Sequence, residues 1–143
     1  MSDAVLFRSD AFSLEPTPEG DKVYDLPLGD DLAAFLRERL LHLRPGLWID
    51  QPIREDWGTV LWVKEGTLQY YINVQWVPDA GMDNRWGISF SQPQGCLGVL
   101  LGRRSRPEDC LAMQSLVAQV VSSEPGTFRG AEWLSQAEYD ARM

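Results

Sequence analysis

Hydrophobic and polar residues alternate along residues 67–77. Because successive side chains of a β-strand point to opposite faces, this period of two predicts a strand with one face in a core. The apolar side of the alternation comprises Leu68, Tyr70, Ile72, Val74 and Trp76. The segment 85–92 repeats the pattern, with Trp86, Ile88 and Phe90 on the expected core side.

The segments around these two strands predict an antiparallel meander. Residues 57–63 form the expected preceding strand, and Lys64-Glu65-Gly66 forms a three-residue hairpin loop with Gly66 in the left-handed conformation. Pro78 ends the strand after residue 77, because proline has no amide hydrogen for the ladder. Additional strands are expected within residues 4–14, 23–26, 96–101 and 128–133.

Two longer segments have the apolar spacing of amphipathic helices. The first begins at Gly29-Asp30-Asp31, where either aspartate can bind free amide hydrogens, and it ends at Pro45-Gly46. The second follows the capping-box pattern of residues 105–108 and ends at Pro125-Gly126, with one or two further helical turns at 135–142. The sequence therefore predicts an α+β fold in one domain, residues 1–143, with an antiparallel sheet of four to six strands and two main helices packed on one face.

Composition supports a globular, cytosolic protein. The chain is 44% hydrophobic with six Trp, which is enough to build a core. It lacks both a run of about 18 apolar residues and the pattern of a secretory signal, so no membrane association is expected. Cys96 and Cys110 have the spacing of neither a redox pair nor a zinc site, so we interpret them as reduced, small core residues.

Charge is distributed unevenly along the chain. The net charge is −8, and residues 1–56 alone carry twelve acidic and six basic side chains. Such acidity makes nucleic-acid binding improbable, because phosphates are repelled. It favours encounter with a basic protein partner, although acidity that serves only solubility is the alternative.

Candidate catalytic and ligand-binding residues do not form a recognisable set. His42 lies in the last helical turn, where a cation suits the helix dipole, and Asp79, Asp83 and Asn84 lack the spacing of a calcium loop. The acidic neighbours at 30–31 and 55–56 point to opposite faces of their elements, which is a poor arrangement for joint acid–base work. We therefore expect no enzymatic activity, metal or cofactor. Whether the arginines at 103, 104 and 106 bind an anion or form ion pairs stays open.

The polar face of the predicted sheet is the stronger candidate for binding. It carries amides, hydroxyls and an aromatic ring, whereas a solvated face, which is the alternative, usually carries Lys, Glu and Thr. If the two strands are neighbours, the candidate residues lie close together. They are Gln69, Tyr71, Asn73, Gln75, Ser89 and Ser91.

A second candidate surface is the segment between Trp48 and Trp57. It presents Asp50, Glu55 and Asp56 beside aromatic residues, and such groups form hot spots in protein interfaces. The alternative is a connector whose tryptophans fold back onto the core. Trp62, Trp76 and Trp86 are expected in the core, as alternate strand positions usually are.

A distinctive layout spans residues 50–133. It runs from Pro52-Ile53-Arg54-Glu55-Asp56-Trp57-Gly58 and a hairpin, through Arg85-Trp86-Gly87-Ile88-Ser89-Phe90 and a helix, to Phe128-Arg129-Gly130-Ala131-Glu132-Trp133. This layout resembles that of a family of small bacterial immunity proteins. Members of this family are encoded beside polymorphic or contact-delivered toxins. The resemblance implies a cytosolic inhibitor that masks a toxin, often one with a basic active site.

A secretion chaperone is the alternative function. Such chaperones are also small, acidic and α+β, and they hold an extended effector segment as homodimers. Their dimers form through an exposed apolar helix or strand, and the valine-rich face of the second helix, which includes Val117, Val120 and Val121, could serve a dimer as readily as a core.

Overall fold

The computed structural model describes residues 3–16, 18–19, 22–23, 26–66, 68–92 and 107–143. At 18–19, 22–23 and 107–110 the description covers the backbone only. The strands are β1 (Ala4–Arg8), β2 (Pro18–Glu19), β3 (Lys22–Val23), β4 (Trp48–Ile49), β5 (Ile53–Glu55), β6 (Gly58–Glu65), β7 (Leu68–Trp76), β8 (Arg85–Ser91) and β9 (Arg129–Leu134). The helices are α1 (Asp30–Leu43), α2 (Pro107–Ser123) and α3 (Gln136–Ala141).

Among the described residues, an antiparallel sheet of seven strands forms the centre of the fold. Its order is β4-β6-β7-β8-β1-β9, and β5 also pairs with β6. The α+β class is confirmed. The sheet is larger than the expected four to six strands because residues 48–49 and 53–55, interpreted as loop, both pair with β6.

Helices α1 and α2 pack on one face of the sheet, which we call the inner face. Leu32, Leu36 and Leu40 of α1 are fully buried there, as is Val117 of α2. The sheet contributes alternate residues of its central strands to the same core. They include Leu61, Val63, Tyr70, Ile72, Val74, Trp86 and Ile88. The period-two interpretation of β7 and β8 is therefore confirmed.

The start of α1 follows the prediction in part. Gly29 is the N-cap residue, with φ 74°, and it makes no side-chain capping bond. Asp31 accepts hydrogen bonds from the amides of Leu32, at 2.9 Å, and Ser13, at 2.7 Å. One aspartate thus satisfies a helix amide, while Asp30 forms an ion pair with Arg54 at 3.0 Å.

The short helix α3 packs on the opposite, outer face of the sheet. Tyr139 is 2% exposed and contacts Ala4, Leu6, Val77 and Leu134 in a second, smaller apolar cluster. This helix covers the end of the outer face formed by β1, β8 and β9. The predicted final strand and terminal helix are both confirmed.

Some predictions differ from the structure or fall outside its described part. The strand predicted within 4–14 ends at Arg8, and Phe12 turns into the core while Leu14 is 37% exposed. The strand expected at 96–101, the cap at Ser105, the arginines at 103, 104 and 106, Cys96 and the Cys110 side chain lie outside the described residues. Within the described residues, no helix is long and apolar enough to cross a membrane.

Candidate partner-binding surface

The pairing of β7 with β8 brings the predicted polar residues together on the outer face. Tyr71 pairs with Ser91 and Asn73 with Ser89, as expected for neighbouring strands. The Nδ2 of Asn73 donates a hydrogen bond to Oγ of Ser91 at 3.2 Å. Gln69, which extends the same row along β7, is exposed.

Gln75 belongs to the covered end of this face. The hydroxyl of Tyr139 donates a hydrogen bond to Oε1 of Gln75 at 3.3 Å. Gln75 pairs with Gly87, directly beneath the Tyr139 ring. Among the predicted polar residues, Gln75 therefore holds α3 on the sheet instead of extending the exposed surface.

The expected core position of Trp62 is wrong. Trp62 pairs with Tyr71 and lies on the outer face, partly exposed. Trp86 is fully buried as predicted, and Trp76 packs partly buried against the inner core. Trp62 therefore adds an aromatic ring to the polar face.

A cluster of aromatic rings surrounds a lysine on this face. The rings of Trp48 and Trp62 meet edge to face with centroids 5.8 Å apart, and the Tyr71 ring lies 6.4 Å from that of Trp62. The Nζ of Lys64 lies 4.7 Å from the Trp48 centroid and 4.4 Å from that of Trp62. Contacts of this kind between a cation and a ring are attractive and fix both partners.

The part of the outer face formed by β4–β8 beyond α3 is called here the open outer surface. Trp48 is 46% exposed and Ile53 is 40% exposed. Side chains of such size, exposed together on one sheet face, mark interaction sites more often than solvated surfaces. The open outer surface comprises Trp48, Ile53, Trp62, Lys64, Gln69, Tyr71, Asn73, Ser89 and Ser91.

One polar atom of this surface lacks a partner. The indole Nε1 of Trp62 is buried, and no hydrogen-bond acceptor lies within reach among the described residues. An unsatisfied buried donor is uncommon in native proteins, and each one calls for an explanation. Because this atom is buried, a partner on the surface does not reach it while the Trp62 ring keeps this position.

The second predicted surface forms the edge of the sheet beside this cluster. Asp56 and Trp57 form the tip of the hairpin between β5 and β6, where Glu55 pairs with Gly58. Trp57 is 41% exposed, and Glu55 and Asp56 are exposed as well. Neither carboxylate forms an ion pair with another residue that the structure describes. The tryptophans that flank this segment thus stay exposed and do not fold into the core.

Helix α1 fixes the position of this edge. The Nε of Arg37 donates to the carbonyl oxygens of Ile49, at 3.1 Å, and Asp50, at 3.2 Å, between β4 and β5. Asp50 in turn accepts a hydrogen bond from the amide of Gln51 at 2.8 Å, so its carboxylate is partly used locally. A surface held in this way loses little conformational entropy when a partner binds.

A shallow cleft of about 540 Å³ lies between α1 and β5. The ion pair between Asp30 and Arg54 forms part of its lining. The cleft adjoins Ile53 at the sheet edge. Its lining residues are Asp30, Ala34, Gln51, Pro52, Ile53 and Arg54.

Two of the three residues considered for calcium binding, Asp79 and Asn84, have side-chain partners. Asp79 forms an ion pair with Arg85 at 3.1 Å and accepts from the amide of Ala80 at 2.8 Å. Asn84 donates to the carboxylate of Asp10 at 2.7 Å. In the part of the chain that the structure describes, no three His, Cys, Asp or Glu side chains are grouped to hold a metal ion.

Comparisons of the chain with protein-family models, curated proteins and solved structures found no match. Functional inference therefore depends on the chemistry of the surface itself. Its partly exposed Trp and Tyr side chains beside amides resemble the composition of interface hot spots.

Proposed function

We propose that this protein is an immunity-type inhibitor that binds and neutralises a cognate bacterial toxin in the cytosol. The toxin would contact the open outer surface together with the hairpin between β5 and β6. The observation that carries this proposal is the row formed by Trp48, Trp62 and Tyr71, whose rings contact one another on an exposed sheet face.

The energetics of such a row suit tight binding. Tryptophan and tyrosine dominate binding energy at protein interfaces, and truncation of a central one costs about 2 kcal/mol or more. The edge-to-face contacts hold these rings in place before the partner arrives. Less entropy is then lost on association.

The charge of the molecule supports a basic partner. The net charge is −8, and the exposed hairpin residues Glu55 and Asp56 lie on the same sheet edge as Trp48, at the opposite end of β6. An acidic surface accelerates encounter with a basic toxin through long-range attraction.

The chaperone alternative receives no comparable support. A dimer through the valine-rich face of α2 is disfavoured, because Val117, Val120 and Val121 are at most 4% exposed and pack against the sheet. That face is used by the core of the monomer.

Co-expression with a toxin tests the proposal directly. The partner is the toxin domain encoded by the reading frame next to the gene for this protein. Expression of that domain alone should stop growth of a bacterial host, and co-expression of this protein should restore it. A toxic neighbour that this protein neither binds nor neutralises would contradict the proposal, as would the absence of a toxin from that position.

Surface variants locate the contact. Trp48→Ala and Tyr71→Ala should each weaken binding of the toxin domain by about 2 kcal/mol, measured by calorimetry. Leu111→Ala is the matched control, since Leu111 is 45% exposed but lies on α2, away from the outer face. If Trp48→Ala and Tyr71→Ala lose no more binding free energy than Leu111→Ala, the toxin domain binds another surface.

A further inference from the structure

Lys64 is a cation without a carboxylate partner among the described residues. Its ammonium lies between the rings of Trp48 and Trp62, and the adjacent Glu65 bonds Arg44 instead, at 2.7 Å. No other basic side chain belongs to the open outer surface as defined above. Among the described residues, the two tryptophan rings contact the Lys64 charge.

Lys64 is half-buried, and binding of a partner would exclude solvent from it. A buried ammonium without an opposite charge is strongly unfavourable, so a partner that covers Lys64 must supply an anion. The exposed side-chain amide of Gln69, which pairs with Lys64 across the strands, adds a hydrogen-bond donor for the same anion. A carboxylate accepts several hydrogen bonds at once and suits this set.

A negatively charged group lies at the other end of β6. Glu55 and Asp56 are exposed beside Gly58, six residues before Lys64 on β6. At the rise of a β-strand, this places the two charged ends roughly 20 Å apart. The aromatic row lies at the Lys64 end of β6, and the polar residues lie beside β6 on β7 and β8.

From this arrangement we infer that the toxin-facing surface is bipolar. A carboxylate of the partner contacts Lys64 between the two tryptophans, and a basic residue of the partner contacts the hairpin at Glu55 and Asp56. The two ends have opposite charge, so only one docking orientation pairs both. This inference rests on the proposed function, because it names the chemistry of the partner at the same surface.

Charge reversal at each end is the test, with a catalytically inactive form of the neighbouring toxin domain as the probe. Lys64→Glu should increase the dissociation rate at least about tenfold, and Lys64→Gln should do so to a smaller extent, because the partner carboxylate loses its counter-charge. Arg8→Glu is the matched control: Arg8 is exposed on β1, outside the open outer surface, and its reversal changes the net charge equally. Its dissociation rate should stay close to that of the wild type.

The acidic end should respond in association. The double change of Glu55 and Asp56 to Lys should slow association and reduce its dependence on salt, because steering of a basic partner is lost. Toxin variants selected for restored binding to the Lys64→Glu protein should carry an acidic residue changed to Lys or Arg.

The outcomes separate the two proposals. If the wild-type protein does not bind the toxin domain, the proposed function fails and this inference fails with it. If the wild type binds but Lys64→Glu and Arg8→Glu dissociate alike, only the bipolar inference is overturned. Circular dichroism establishes that each variant is folded, and if Lys64→Glu does not fold, a wild-type dissociation rate for Lys64→Gln overturns the inference in its place.

Discussion

Gly87 and Tyr139 show how one small residue determines what covers the sheet. A Cβ atom at position 87 would lie 2.7 Å from Cε2 and 2.9 Å from Cζ of Tyr139, and it would overlap the hydroxyl as well. Such approaches are shorter than any ordinary van der Waals contact. Only glycine leaves room for the ring, and thereby for α3 on the outer face.

Gly87→Ala should destabilise the protein by roughly 1–3 kcal/mol in urea unfolding, the usual cost of overpacking. Gly46→Ala is the matched control, since a Cβ there meets nothing within 4 Å. In a Tyr139→Ala background the cost of Gly87→Ala should be much smaller, because the colliding ring is absent. An equal cost in both backgrounds would contradict the assigned contact.

Tyr139 should also make stability depend on alkaline pH. Burial raises the pKa of its hydroxyl, with a smaller contribution from Asp140. In the unfolded chain the group ionises near pH 10, so the unfolded state binds fewer protons than the folded state above that pH. The stabilisation is therefore complete below about pH 10 and is lost as the pH rises.

Urea unfolding between about pH 9 and about pH 11 tests this expectation. Tyr139→Phe should lose less stability over that interval than the wild type. If the free energy of unfolding falls with pH as steeply in Tyr139→Phe as in the wild type, other groups cause the loss of stability at alkaline pH.

At the scale of elements, α3 depends on its first turn. The Oγ of Ser135 accepts from the amide of Glu138 at 3.2 Å, and the carboxylate of Glu138 accepts from the amide of Ser135 at 3.2 Å. The pKa of Glu138 is lowered chiefly because the Ser135 hydroxyl donates to its carboxylate at 2.9 Å, and further because the Ser135 amide does, since both bonds favour the charged form. The capping box thus holds in place the short helix that carries Tyr139.

Ser135→Ala should cost about 1 kcal/mol of stability, while Ser135→Thr should retain most of it. Because the folded-state pKa of Glu138 is lowered, its carboxylate contributes to the free energy of unfolding above the normal Glu pKa. This contribution is lost as the pH falls. The difference between Ser135→Ala and the wild type in urea should therefore shrink in acid. Ser135→Thr as unstable as Ser135→Ala would contradict a role for the cap.

The hairpin between β6 and β7 shows where sequence reasoning failed. A loop of Lys64-Glu65-Gly66 would pair Val63 with position 67 and would place Trp62 on the core side with Leu68. In the structure Glu65 pairs with Leu68, which leaves two residues between them, with Gly66 at φ 61° as predicted. A change of one residue in the loop reverses the faces of a strand, and this moved Trp62 to the outer face.

The alternation within β6 could not correct that error. Thr59, Leu61 and Val63 are on the inner side, but Val60 and Trp62 on the outer side are equally apolar. β7, by contrast, alternates apolar with polar residues, so its faces were predicted correctly. Strands β4 and β5 were missed because two or three residues are too short to show any period.

At the scale of the molecule, the sequence predicts which strand face is polar but not what covers it. Gln75 looks like its neighbours on β7, yet Tyr139, distant in the chain, binds it. Only the three-dimensional arrangement separates the end covered by α3 from the open outer surface. The predicted residues Gln69, Tyr71, Asn73 and Ser91 lie at the open end, and Trp48, Trp62 and Lys64 join them there.

The central claim is that this open outer surface binds the partner, and the six tryptophans provide the most direct measurement. Each indole N–H gives a resolvable nuclear magnetic resonance signal, which can be followed during titration with the inactive toxin domain. The account predicts that the signals of Trp48, Trp57 and Trp62 shift or broaden, while that of the fully buried Trp86 stays in place. Binding that leaves the Trp48 and Trp62 signals unchanged would contradict the account.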